Sequence, residues 1–113
     1  LLIPPSDAAP RAMFLVEILL PTSCKDGAQV QQGLFRAVQE HLIDIFGGVT
    51  AFVRSPGDGA WCNEGNVQKD KIVVLEVMAR EIDEVWWRHY RSELERSFRQ
   101  QEIVIRSHLI RLL

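Results

Sequence analysis

Apolar positions along this chain switch between a period of two and a period of three to four, and the switches divide it into elements. From Ala12 to Leu20, Phe14, Val16 and Ile18 alternate with Met13, Leu15, Glu17 and Leu19. Both faces of that extended segment are mostly apolar, which predicts a strand in the middle of a sheet. After Pro21-Thr22-Ser23-Cys24-Lys25, the residues Val30, Leu34, Val38, Leu42, Ile45 and Phe46 fall on one stripe at about 100° per residue. This predicts a helix with Asp26 as N-cap and Gln29 completing a capping-box-like pair. Gly47 or Gly48 is expected to supply its left-handed stop. Ile43, opposite the stripe, is expected to be exposed.

Period two returns at Val49–Arg54, with Val49, Ala51 and Val53 against Thr50, Phe52 and Arg54. Ser55-Pro56-Gly57-Asp58-Gly59 reads as a turn. A short strand at Ala60-Trp61-Cys62 and a second turn at Asn63-Glu64-Gly65-Asn66 are expected before Asp70. Lys71–Met78 alternates Val73, Leu75 and Val77 with Ile72, Val74, Glu76 and Met78, and again reads as central. A second helix is expected from about Arg80 to Gln100, with Ile82, Trp86, Tyr90, Leu94 and Phe98 on its buried stripe and Trp87 at the stripe's edge. Its acids lie early (Glu81, Asp83, Glu84) and its bases late (Arg96, Arg99), as the helix dipole favours. A last strand over residues 102–112 places Ile103, Ile105 and Leu109 on one face and Val104, Arg106, His108 and Ile110 on the other.

The order β-α-β-β-α-β is the split βαβ, or ferredoxin-like, α+β arrangement. Right-handed crossovers give an antiparallel sheet ordered 4-1-3-2 with both helices on one face, which makes the two strands that are apolar on both sides the central ones. Residues 1–11, with three prolines, are expected to form an extended arm, and residues 12–113 a single domain.

The sheet face without helices is where chemistry is expected. It carries Leu15, Glu17, Leu19, Phe52, Arg54, Val74, Glu76, Met78, Val104, Arg106, His108 and Ile110. Glu17 and Glu76 sit on adjacent strands, and Arg106 and His108 on the strand flanking the first, about 5 Å away. One reading is structural: Glu17 and Glu76 pair with Arg106 or Arg54 while a second copy buries the apolar remainder. The other is catalytic: two close carboxylates raise each other's pKa and His108 acts as general base. Glu17, Glu76 and His108 have the ligand types for a metal, but no diagnostic spacing, and no metal or other cofactor is expected. The long connection over residues 55–70 is a second candidate binding region, with Trp61, Cys62 and Asp70 beside Phe52 and Arg54. Trp61 can equally serve only to cover the end of the core.

Composition narrows the partners. At 113 residues, 47% hydrophobic and 25% charged, the chain has the balance of one globular domain able to bury its own core. A net charge of −2 removes the usual electrostatic attraction to nucleic acid or anionic membranes. The central strands offer Leu15, Glu17, Val74 and Glu76 instead of the aromatics an RNA-binding sheet needs. Cys24 and Cys62 fit no zinc spacing and read as free thiols, with one disulfide between them as the alternative, and no apolar run reaches the ~20 residues of a membrane helix. A cytoplasmic protein is expected. Nucleophile-elbow, phosphate-loop, dinucleotide and HExxH signatures are absent.

Phe46-Gly47-Gly48-Val49-Thr50, Gly59-Ala60-Trp61, and Asp70 ahead of Val73-Val74-Leu75-Glu76-Val77 form a pattern that resembles small uncharacterised bacterial proteins of ferredoxin-like fold, over about residues 13–112. The resemblance implies that fold and a bacterial source but no established activity, and it marks Trp61, Asp70 and Glu76 as matched positions. In type the chain is also similar to products of mobile gene cassettes, including integron cassettes. Two functions follow as expectations: a homo-oligomeric interaction or small-molecule-binding module assembled through the helix-free face, or an enzyme of the dimeric α+β-barrel kind with a site lined by Glu17, Glu76, Arg106 and His108.

Overall fold

Strand β1 (Arg11–Pro21) is followed by helix α1 (Gln32–Phe46), strand β2 (Thr50–Arg54) and a small hairpin of β3 (Cys62–Asn63) and β4 (Asn66–Val67). Strand β5 (Ile72–Ala79), helix α2 (Glu84–Ser97) and strand β6 (Val104–Leu112) complete the chain. The computed structural model describes residues 11–23, 27–54, 62–63, 66–67 and 72–113, and only the backbone of Arg54 and of the small hairpin. The expected arm over residues 1–11 (save Arg11) and the turn at 55–59 lie outside the described residues.

Four strands form one antiparallel sheet in the order β2-β5-β1-β6. Counting only those four, this is the expected order 4-1-3-2 read from the other edge. Its register places Val16 opposite Val77 and Ser107, Ile18 opposite Leu75 and Ile105, and Glu17 opposite Glu76 and Arg106. Because side chains alternate along a strand, this register sends Val16, Ile18, Leu20, Leu75 and Val77 to one face. There they join Val38 and Leu42 of α1 and Trp87, Tyr90 and Leu94 of α2 in a single buried cluster. Both helices therefore cover the same face. The fold is α+β, as expected.

Element ends differ from the sequence reading in instructive ways. Helix α1 begins five residues later than a cap at Asp26 implies. Ser23 and Gln29 form an isolated β-bridge, and the Val30 amide donates to the Thr22 carbonyl at 2.9 Å, so residues 27–30 turn back toward β1. Gln31 stands at the N-cap without a side-chain cap bond. The stop is at Gly47, whose φ of +84° only glycine adopts without strain. Ile45, expected on the buried stripe, is 45% exposed, as much as Ile43.

Helix α2 runs from Glu84, not Arg80, because Asp83 is its N-cap: the Trp86 amide donates to Asp83 Oδ1 at 3.1 Å. Asp83→Ala is expected to lower stability by about 1 kcal/mol, measurable by urea denaturation, and an unchanged midpoint would rule the cap out as a stabilising contact. The two adjacent tryptophans exchange the places expected of them. Trp87 is buried, whereas Trp86 is half-buried and meets His41, Phe46 and Tyr90 at ring distances of 6.3, 5.6 and 5.0 Å. The inter-helix contact thus turns the stripe toward Trp87. Downstream, the Ile103 amide donates to Glu95 Oε2 at 2.9 Å, which anchors the entry to β6.

Tyr90 is the chain's one tyrosine. Burial, helped by the nearby Glu93 carboxylate, pushes its hydroxyl up from 10.0 to about 12. The unfolded chain ionises first, so this contribution to stability is complete below pH ~10 and is lost as pH rises toward about 12. Following tyrosinate by ultraviolet absorbance, the midpoint is expected close to the upper value or together with unfolding. A midpoint near 10 in a folded chain would contradict the burial.

Candidate functional site

Period-two alternation makes a polar row inevitable once the register is set. On the helix-free face, Thr50 of β2, Glu76 of β5, Glu17 of β1 and Arg106 of β6 are consecutive cross-strand partners. Among the described residues Glu17 is the buried charged one, its side chain 11% exposed. The Arg106 Nε donates to Glu17 Oε1 at 3.1 Å, and His108 Nδ1 lies 3.9 Å from the same oxygen. A carboxylate removed from water costs several kcal/mol unless paired, so Arg106 is what makes this position tenable. Both basic side chains remain more than half exposed. Among the described residues, no hydrogen bond or ion pair engages the neighbouring Glu76 carboxylate.

Three of the four expected catalytic candidates thus converge: Glu17, Arg106 and His108. Glu76 stands beside them in register without sharing the contact. Apolar residues frame the row. Phe52, Met78 and Val104 are 40–50% exposed, whereas Val74, between Leu19 and Phe52 in register, is already buried in the single chain. The face is therefore less open than the alternation alone implies. Among the described residues no group of three His, Cys, Asp or Glu side chains could hold a metal, so Glu17, Glu76 and His108 do not form one. Of the second candidate region, Cys62 lies in β3 and Arg54 ends β2, while Trp61 and Asp70 lie outside the described residues. His41 is an exposed residue within α1, its ring 5.2 Å from that of Tyr90, and His89 is exposed.

The structure also contains a cleft that the sequence does not reveal. A cleft of about 240 Å³ runs between α2 and β6, lined by residues that include Trp87, Arg88, Arg91, Arg106 and Ser107. Arg88 and Arg91 recur at a spacing that reads as an ordinary solvated helix face. Only the tertiary placement of edge strand β6 alongside gives them a common wall.

No family model matches the chain, and no curated protein matches it. No helix among the described residues is long and apolar enough to cross a membrane.

Proposed function

We propose that this chain is a ferredoxin-like, homo-oligomeric binding module that assembles through its helix-free sheet face. The supporting observation is that face's composition: exposed Phe52, Met78 and Val104 around a buried, ion-paired Glu17. Exposed apolar side chains gathered on one face are what an assembly interface presents. Charge placement favours a second copy as the occupant. Glu76, unpaired among the described residues, lies toward one edge of the sheet, and half-exposed Arg106 and His108 lie on the other. A two-fold axis along the strands brings the basic edge of one copy over the Thr50–Glu76 side of the other, an isologous match. The resemblance to small bacterial proteins and gene-cassette products belongs with this reading.

Met78→Lys tests it. Met78 is 50% exposed in the single chain, so a lysine there costs the monomer little but places a charge inside the assembly. Light scattering is expected to show a reduced molar mass with an unchanged circular dichroism spectrum. An unchanged mass sinks the assignment of this face.

The second reading, an enzyme of the dimeric α+β-barrel kind, draws on the 3.9 Å approach of His108 Nδ1 to Glu17. A carboxylate beside one imidazole nitrogen orients the ring and leaves Nε2 for proton transfer.

A further inference from the structure

We infer that strand β6 is a second interaction surface, on which β6 of another copy of this chain pairs antiparallel and joins two four-stranded sheets into one. The contact uses the edge of the sheet and not its helix-free face, so the inference stands apart from the assembly reading. β6 is nine residues long and lies at one end of the order β2-β5-β1-β6. Among the described residues only β1 pairs with it, so the backbone donors and acceptors on its outer side point away from the sheet. Sheets ordinarily guard such an edge with proline, lysine, a bulge or a short strand. β6 has none of these. Val104–Leu112 contains no Pro, Gly or Lys, and its register with β1 runs unbroken from Arg11↔Leu112 to Leu19↔Val104. The opposite edge, β2, is only five residues long.

The residues of β6 specify what fits that edge. A two-fold axis normal to the sheet sets two copies of one edge strand antiparallel and keeps the helices of both on the same side. Placed at Ser107, the axis sets Ile105 against Leu109 of the second copy on the helix side, and Val104 against Ile110 of the second copy on the other. Leu109 is 63% and Val104 46% exposed in the single chain, and both gain an apolar cross-strand partner. Among the described residues no ion pair engages Arg111. The same register sets Arg111 against Ile103 of the second copy, whose amide donates to Glu95, so the guanidinium arrives beside that carboxylate. Arg106 falls opposite His108 of the second copy, but in each copy Glu17 lies 3.1 and 3.9 Å from these two groups and offsets their charge.

Neighbouring registers lose this match. Centred on Arg106, the axis sets that guanidinium against its own copy, a like-charge pair. Centred on His108, it sets Leu109 against Ser107 and Ile105 against Arg111. The register on Ser107 is therefore the self-complementary one, and a second copy is the partner that the strand itself fits. The two helix-free faces then lie side by side on one surface, so edge pairing and face assembly do not exclude each other.

Amide hydrogen exchange of the full chain, read by two-dimensional NMR at high protein concentration, tests the pairing. The comparison is with Leu109→Lys, a change at a side chain that the single chain leaves exposed. On every second residue of 104–110 the outward N–H is expected to exchange at least about tenfold more slowly in the unaltered chain than in Leu109→Lys. The amides of central β5 are expected to exchange alike in both. Arg111→Glu, which sets a carboxylate beside Glu95 of the second copy, is expected to speed exchange at the same β6 amides. Met78→Lys, on the helix-free face, is expected to leave them slow, which separates a failure of this inference from a failure of the face assembly. Equal β6 rates in the unaltered chain and Leu109→Lys would overturn the inference: fast in both means an unpaired edge, and slow in both means an edge that the chain covers by itself. Slow exchange lost in Met78→Lys and kept in Leu109→Lys would assign the protection to the helix-free face and overturn the edge pairing as well.

Discussion

Phe98→Ala is expected to lower the stability of the folded chain by about 3–5 kcal/mol, a third or more of the ~5–15 kcal/mol that separates a typical domain from its unfolded state. Phe98 is fully buried at the C-cap of α2. Its ring meets Phe35 of α1 edge-on at 5.4 Å, and its amide donates to Leu94 at 2.8 Å. The next residue, Arg99, takes a left-handed φ of 54°, and the Gln100 side chain bonds the carbonyls of Ser23 and Phe98. Phe98 thus holds the end of α2 against α1 while the chain reverses toward β6. The surrounding backbone is pinned by these bonds and cannot collapse fully into the space an alanine leaves. Thermal unfolding should shift down by more than ~10 °C, and a shift of only one or two degrees would mean that Phe98 does not fill the core as described.

Glu17 and Arg106 are expected to respond in opposite directions to two replacements. Arg106→Ala leaves a buried carboxylate without its hydrogen bond and should cost about 1–3 kcal/mol. Glu17→Leu removes the charge altogether and places an aliphatic side chain between Leu15 and Leu19 on the same face. It should be close to neutral or stabilising, because apolar replacement of a buried ion pair removes its desolvation cost. Urea denaturation of both variants checks this. If Glu17→Leu holds its stability but loses assembly, the carboxylate serves recognition. If Glu17→Leu destabilises as much as Arg106→Ala, the pair is a structural element of the sheet and the site reading fails.

The sheet order was legible because only two strands, around Val16 and Leu75, are apolar on both sides, and two central strands admit few arrangements. The polar row followed from it: Glu17, Glu76 and Arg106 share a face by alternation and become neighbours once the order is known. Their pairing was legible only as alternatives, Arg106 or Arg54, between which the register decides for Glu17. Register depends on how the strands slide against one another, and the long 55–70 connection leaves it free where a two-residue turn would set it. The start of α1 misled for a local reason. Asp26 and Gln29 carry capping-box spacing, but the Val30 amide bonds back to Thr22 and holds this stretch against β1. The α2–β6 cleft was invisible because Arg88 and Arg91 have the same signature as any solvated helix face. Tertiary placement alone brings them to Ser107.

The molar mass of the unaltered chain, by light scattering behind a sizing column at low and at high salt, tests the central claim most directly. Assembly through the apolar part of the face persists when salt screens its charged row, so a mass of at least twice the 12.9 kDa chain is predicted under both conditions. A mass of one chain at micromolar concentration in both would contradict the assembly role of the helix-free face.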